Sequence, residues 1–276
     1  MSNNLDTPVN AENVKSDGHI KVSNVMKDEF GFEIPVESVP LPSLGIIYPQ
    51  DGPLHGKETI DIKPMTAREE DILTNTSYIS DGTVLDELLK SLIVSKDIDF
   101  NDLLIGDKNA LLISARILGY GSEYKFNLRG EEVTADLSKL ENKVLDEKKF
   151  EKGKNEFNYT FPHSGTVITY KYLNHSDEQA VNKEIQGLQK INPKSNPIIS
   201  TRIKRMITSV DGSDDKKTIR EFVDNYLLAM DSRAFRSHIR ETQPDVNLNL
   251  VVDTSSGEED VEMPIGIKFF WPDSTI

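Results

Sequence analysis

The chain has 276 residues, with 46 Asp plus Glu against 32 Lys plus Arg and a formal net charge of −14. Such a surplus of negative charge does not suit the neutralisation of phosphates, so we expect neither nucleic acid nor a membrane as a partner. The chain contains no cysteine, which excludes disulfides, thiolate metal ligands and cysteine nucleophiles. No run reaches the roughly 18 apolar residues of a membrane span. These features predict a soluble intracellular protein.

Residues 1–35 are polar, contain few aromatic side chains and follow no period. Such a segment buries too little apolar surface to offset its ordering entropy, so it is predicted to be a disordered acidic or polar tail. The run LPSLGIIYPQDGPLHG at 41–56 combines repeated Pro and Gly with apolar side chains. It predicts a proline-stiffened entry arm that clamps the first module or a neighbouring subunit.

The first predicted module, residues 36–150, has mixed elements. A strand is predicted at 58–63, followed by several helices. Two strands, EYKFNL and EEVTADL, close the module around Arg129 and Gly130. The predicted helices are TAREEDILT with a Thr66–Glu69 capping box, an apolar stripe from Thr83 to Ile93, and KNALLISARILGYG capped by Asp107.

The second predicted module, residues 151–276, has the same order of parts. It starts with a hairpin, FNYTF and TVITYKYL, around Pro162 to Gly165, and it ends with a hairpin of VNLNLVVD and VEMPIGIKFF. The predicted helices between them are DEQAVNKEIQGLQ with a Ser176–Gln179 box, IISTRIKRMITSV, IREFVDNYLLAM with a Thr218–Glu221 box, and SRAFRSHIRE capped by Asp231.

Laying one half over the other aligns matching residue types. At an offset of 108 residues Ile60 and Glu69 fall on Ile168 and Asp177, and at 114 Leu89 falls on Ile203. At 124 residues Leu103, Leu104 and Asp107 fall on Leu227, Leu228 and Asp231. The pattern predicts a tandem duplication, although strand–helix–hairpin order can also recur by chance. The predicted fold class is α+β: two similar tandem modules, each with a strand or hairpin, three or four helices and a closing β-hairpin.

No pattern for catalysis is present. None of the five histidines lies three or four positions from another, so no helical metal pair is predicted. Glu69, Glu70 and Asp71 occupy a predicted first helical turn, where acidic residues complement the helix dipole. The chain has no glycine-rich phosphate loop and no Gly-x-Ser-x-Gly elbow. The sequence therefore predicts a protein that is not an enzyme, with no catalytic residue, cofactor, metal site or small-molecule substrate.

Two groups of residues are candidates for partner contacts. The cations near 202–240 could dock an acidic partner or nucleic acid, or they could form salt bridges with nearby acids. The consecutive aromatic residues at 269–271 could be core on both sides of a strand or could anchor an interface. The predicted partner-binding residues are Tyr48 of the entry arm, Arg233, Arg236, Arg240, Phe269, Phe270 and Trp271.

Four runs, taken in order, carry a resemblance to a known family. They are LPSLGIIYP, IKPMTAREEDIL, GDKNALLISARILGYG and FFWP, and they extend from Leu41 to Pro272. Together they resemble the T4-like bacteriophage baseplate hub assembly protein family.

The resemblance implies a non-enzymatic structural or assembly protein of the phage tail baseplate hub. Its expected partners are other hub or tail proteins, and its expected locations are the host cytoplasm during assembly and the virion tail baseplate. The alternative is a soluble intracellular adaptor that binds an acidic protein through the arginine-bearing helix.

Overall fold

The computed structural model of the chain describes residues 24–27, 31, 33–255, 257–263 and 265–270. This part is a mixed α+β fold with eight α-helices and four small antiparallel sheets, as the sequence predicted. None of the helices in these ranges is long and apolar enough to cross a membrane. Most of the predicted tail lies outside the described ranges, but a strand at Asn24–Lys27 falls inside the tail and pairs with Glu33–Pro40.

The first half contains five strands and four helices. Strands β1, β2 and β3 form one sheet in that order, and β4 pairs with β5. The elements are β1 (Asn24–Lys27), β2 (Glu33–Pro40), β3 (Thr59–Ile62), α1 (Ala67–Leu73), α2 (Thr76–Asp81), α3 (Val84–Leu92), α4 (Ile105–Tyr120), β4 (Glu123–Leu128) and β5 (Glu131–Asp136).

The second half also contains five strands and four helices. Strands β6, β7 and β8 form a sheet in that order, and β9 pairs with β10. The elements are β6 (Phe157–Thr160), β7 (Val167–Tyr170), α5 (His175–Ile191), α6 (Ile198–Met206), β8 (Ile207–Val210), α7 (Lys216–Glu221), a π-helical turn (Phe222–Tyr226), α8 (Ala229–Thr242), β9 (Asn249–Thr254) and β10 (Gly257–Glu262).

Helices α1 and α3 follow the predicted sequence signals. The Thr66–Glu69 capping box opens α1, where the Thr66 N–H donates to the Glu69 carboxylate at 2.8 Å. In α3 the predicted apolar stripe lies on one face, and Leu88, Leu89 and Leu92 are buried.

Several predicted helix starts are wrong. The caps of α5 and α7 are Asn174 and Asp215, whose side chains accept from Asp177 N–H and Thr218 N–H. Ser176 therefore does not begin α5, and Thr218 does not begin α7. Asp107 and Asp231 are also not caps, because α4 and α8 each begin two residues earlier. Asp and Ser are favoured at several first-turn positions, so composition alone does not fix the register.

Two predicted helices in the second half are interrupted. The segment IISTRIKRMITSV forms helix α6 only as far as Met206, and Ile207–Val210 then pairs with β7 as strand β8. β-branched residues dominate this second part and favour a strand that has a partner. The segment IREFVDNYLLAM is divided among α7, the π-helical turn and the extended Leu228 before α8.

The entry arm at 41–56 is packed against the first half. Leu41, Ile47 and Leu54 are buried there, and a clamp on the first module or on a neighbouring subunit stays a prediction. Gly45 has a φ of +69°, and a Cβ there would lie 2.4 Å from the Lys57 nitrogen, so only glycine fits this turn.

The hydrophobic core is continuous between the two halves. Buried residues from Val39 to Phe270 form one contact cluster, with Leu104 and Leu173 among its members on either side of the middle of the chain. The two closing hairpins also lie side by side, with β5 against β9 and an ion pair between Arg129 and Glu259 at 3.0 Å.

Candidate functional site

The buried carboxylate of Asp107 fastens the entry arm to α4. It accepts hydrogen bonds from the Ser43 N–H at 2.9 Å, the Ser43 hydroxyl at 2.6 Å and the Tyr48 hydroxyl at 2.6 Å. Burial raises the pKa of Asp107, although these hydrogen bonds act in the opposite direction. The Tyr48 hydroxyl in turn accepts from the Leu104 N–H at 2.9 Å, so every group in this cluster has a partner.

Asp231 has the corresponding place in the second half. It lies at the third position of α8, as Asp107 does in α4. Its two oxygens accept from the His163 N–H at 2.9 Å and the Ser164 N–H at 3.0 Å, in the turn between β6 and β7. Burial alone would raise the pKa of Asp231, but these hydrogen bonds outweigh it and lower the pKa.

A second matched pair of carboxylates lies at the start of α1 and α5. Lys63 Nζ lies 3.0 Å from Glu69, and Lys171 Nζ lies 2.6 Å from Asp177. Burial acts to raise the pKa of Glu69, but hydrogen bonds from Ser91, Thr66 and Lys63 outweigh it and lower the pKa to about 2.

The halves also match in backbone pairing. Lys63 N–H donates to the Leu92 carbonyl at 3.0 Å, and Lys171 N–H donates to the Met206 carbonyl at 2.9 Å. The residue after β3 is thus held by the last residue of α3, and the residue after β7 by the last residue of α6. The strand pairs correspond as well: Glu37 lies opposite Ile62 in the first half, and Phe157 lies opposite Tyr170 in the second.

A short β-bridge connects the two halves directly, and we call it the joint. It pairs residues 103–105 with residues 173–175. Ile105 N–H donates to the Leu173 carbonyl at 3.3 Å, and His175 N–H donates to the Leu103 carbonyl at 2.8 Å. Leu104 and Asn174 form the central bridge. The joint therefore links the start of α4 to the start of α5.

A charged cluster lies beside the joint. Lys108 Nζ donates to Asp86 at 2.7 Å and lies 3.2 Å from Nδ1 of His175, while Nε2 of His175 lies 3.2 Å from Asp86. Burial acts to raise the pKa of Asp86, but contacts with His175 and Lys108 outweigh it and lower the pKa. The sequence analysis missed this cluster because its members come from three separate helices.

Most of the predicted apolar contact residues lie inside the fold. Tyr48 is 4% exposed and holds Asp107, while Phe269 and Phe270 are buried. The Phe269 carbonyl accepts from Nε of Arg116 at 2.9 Å, which fixes this segment to α4. Both phenylalanines are therefore core residues, which is the first of the two alternatives given above for residues 269–271. Trp271 lies outside the described residues. Contact of these residues with a partner stays a prediction.

The cations divide into two groups. Arg202, Lys204 and Arg205 form ion pairs with Glu178, Asp224 and Asp177, as the salt-bridge alternative predicted. Arg233, Arg236 and Arg240 are exposed on α8, and within the described ranges none of them has a carboxylate within salt-bridge distance.

An exposed apolar stretch precedes these arginines. Tyr226, Leu228 and Met230 are each at least half exposed where the π-helical turn leads into α8. A partner-binding patch is typically built from such apolar side chains beside arginine. The sequence indicated this stretch only through the offset of 124 residues, which aligns Leu227 and Leu228 with Leu103 and Leu104.

Among the described residues no group of three or more His, Asp or Glu side chains is arranged to hold a metal ion.

Comparison with known proteins gives one family. The family model described as T4 bacteriophage base plate protein matches residues 50–271, which is most of the chain. The chain belongs to this phage baseplate family. No curated protein and no solved structure matches it. The match spans the joint and α8, whereas Ser43 and Tyr48 of the entry arm precede it.

Proposed function

We propose that this baseplate-family chain is a non-enzymatic structural or assembly protein of the tail baseplate hub. The family match over residues 50–271 carries the proposal, because it indicates a component of a multi-subunit particle. The exposed arginines of α8 beside Tyr226, Leu228 and Met230 supply a surface for subunit contact. Its partners would be other hub or tail proteins.

The test is a phage that lacks this gene. We expect tail assembly to stop before the hub is complete, and tagged protein to co-purify with hub subunits from infected cells. Normal infectious tails from the deletion phage would contradict the proposal. Mass spectrometry of purified virions distinguishes the two forms of the role, since a structural protein stays in the particle and an assembly factor does not.

A second candidate function is an adaptor that binds an acidic protein through α8. Arg233, Arg236 and Arg240 lie at helical spacing and lack carboxylate partners among the described residues. Replacing all three with Ser should weaken partner capture, and raising salt should weaken it in the wild type. Arg202→Ser is the matched control, because Arg202 is already paired with Glu178. Binding that survives both the triple change and high salt would contradict this function.

We also propose that the two halves arose by tandem duplication. The support is a set of matched contacts at fixed offsets. Lys63–Glu69 and Lys171–Asp177 are separated by 108 residues, and Asp107 and Asp231 by 124. The connection between β2 and β3 runs over 41–58, whereas that between β6 and β7 runs only over 161–166. The entry arm is therefore the longer of two corresponding connections.

An experimental structure of the chain tests the duplication. We expect residues 37–40, 59–73, 84–93 and 103–120 to superpose on 157–160, 167–181, 198–207 and 227–244 as one rigid set. A superposition that requires the segments to be fitted separately would contradict the duplication without affecting the baseplate role.

A further inference from the structure

Each of the two segments that form the joint has a counterpart in the other half of the chain. By the offsets above, residues 227–229 correspond to 103–105, and residues 65–67 correspond to 173–175. The backbone supports both equivalences. Leu104 and Leu228 precede their helices with φ/ψ of −62°/148° and −62°/143°, and Thr66 and Asn174 both open capping boxes in extended conformation.

The two counterparts differ from the joint in exposure. Leu104 is 4% exposed in the joint, whereas Leu228 is 50% exposed. Thr66 and Ala67 are exposed as well. An apolar residue that is buried in one repeat and uncovered in the other indicates a face whose cover comes from outside the chain.

In the counterparts, the backbone groups that correspond to those of the joint form no hydrogen bonds within the described part of the chain. In the described part of the chain, no hydrogen bond joins the N–H of Ala229, the carbonyl of Leu227 or the N–H of Ala67 to another group. These groups correspond to the Ile105 N–H, the Leu103 carbonyl and the His175 N–H, all of which bond across the joint. A free donor and acceptor in extended backbone form a template for pairing with another chain.

We propose that residues 227–229 of one copy pair with residues 65–67 of a second copy, in a head-to-tail interface that repeats the joint between molecules. Ala229 N–H would donate to the Met65 carbonyl of the next copy, and Ala67 N–H of that copy would donate to the Leu227 carbonyl. The proposal rests on the duplication proposed above and goes beyond the baseplate role.

Charge supports a second copy as the occupant. Exposed Arg233 and Arg236 follow residues 227–229 on α8, and exposed Glu70 and Asp71 follow residues 65–67 on α1. No ion pair within the described ranges involves these four residues. The two helix starts thus carry opposite charges, which favours their approach in a head-to-tail contact.

Such an interface is heterologous, because the two surfaces that meet are different. Heterologous contacts propagate into closed rings or open filaments. A protein of a multi-subunit particle can use either arrangement.

The test measures self-association of the full-length protein by sedimentation velocity over a concentration series. Ala67→Pro and Ala229→Pro each remove one proposed donor at the first helical position, where proline is well tolerated. Each should weaken association about tenfold. Leu228→Asp should weaken it by at least about thirtyfold, since it places a charge at the centre of the contact. Val144→Asp, at a fully exposed valine elsewhere, is the control and should change nothing.

Mixing two variants that each lack one of the two surfaces tests the head-to-tail contact more specifically. Ala67→Pro combined with Glu70→Lys, at an exposed residue outside the Thr66–Glu69 capping box, retains only the 227–229 surface, and Leu228→Asp retains only the 65–67 surface. Each variant should stay monomeric alone, while an equimolar mixture should form a 1:1 dimer. A monomeric wild type at all concentrations would overturn the proposal, as would association unchanged in all variants or a mixture that stays monomeric. Circular dichroism checks that each variant is folded. If an experimental structure shows the duplication but the protein does not associate, the head-to-tail interface is wrong and the duplication stands.

Discussion

At the scale of single residues, the buried carboxylates of Asp107 and Asp231 hold segments that lie far from them in sequence. Asp107 shows why the sequence alone could not establish this. Its position near the start of a helix is correct for a cap, but its three donors come from Ser43 and Tyr48, about sixty positions earlier in the chain. A local pattern predicted the residue as important and could not predict its partners.

Tyr48→Phe tests whether Tyr48 is a structural residue in the folded chain. The change removes one of the three donors to Asp107 and leaves the buried Leu104 N–H without its acceptor. We expect the free energy of unfolding to fall by about 1–3 kcal/mol in urea denaturation. Tyr226→Phe, at an exposed tyrosine, is the control. Equal stability of the two variants would show that the Tyr48 hydroxyl is not needed inside the fold.

Glu69 predicts a pH dependence of stability. Its pKa is about 2 in the folded chain, below the ordinary value, so its contribution is present above about pH 4.5 and is lost as the pH falls towards 2. Glu69→Gln should therefore lower the free energy of unfolding by about 2 kcal/mol at pH 6. The gap to wild type should narrow between pH 4.5 and 2.

Thermal unfolding across this pH range checks the Glu69 result, with the exposed Glu70→Gln as control. A gap between wild type and Glu69→Gln that stays constant with pH would contradict the low pKa.

At the scale of elements, periodicity and capping signals predicted most of the helices but not α2, and tertiary contacts decided where the helices begin and end. The apolar stripe of α3 was predicted because apolar residues recur there every three or four positions. Strand β8 was missed because Ile207–Val210 has a helical apolar pattern in sequence, and only pairing with β7 makes it a strand. The α+β class was predictable, whereas the pairing of distant strands was not.

Two helix glycines should respond to alanine with opposite signs. A Cβ at Gly106 in α4 would lie 2.0 Å from the Pro244 carbonyl oxygen, so backbone must move, and Gly106→Ala should cost about 1–3 kcal/mol. Gly187 in α5 faces open space, and Gly187→Ala should stabilise by about 0.5–1 kcal/mol. Chemical denaturation of both variants measures the difference. A Gly106→Ala variant as stable as the wild type or more stable would contradict this packing of α4 against residues 244–245.

At the scale of the whole molecule, the two predicted modules share one hydrophobic core and are connected by the joint. The sequence predicted the order of parts in each half. It could not predict the cluster of Asp86, Lys108 and His175, because no spacing in the chain brings these three residues together.

Lys108→Met should lower the free energy of unfolding by about 3 kcal/mol, because it leaves a buried carboxylate without its cation. Since the core is continuous, we expect faster hydrogen exchange in α1 and in α7 alike. Lys90→Met, which breaks an exposed pair with Glu87, is the control. Loss of protection in only one half would show that the halves unfold separately.

The contact between Arg116 and Phe269 has a consequence during translation. The guanidinium of Arg116 donates to the Phe269, Gly121 and Glu123 carbonyls, so a helix from the middle of the chain is completed by a residue made more than 150 positions later. While residue 269 is still in the exit tunnel of the ribosome, Nε of Arg116 lacks its hydrogen-bond acceptor. The nascent chain therefore reaches its final packing only after that residue emerges.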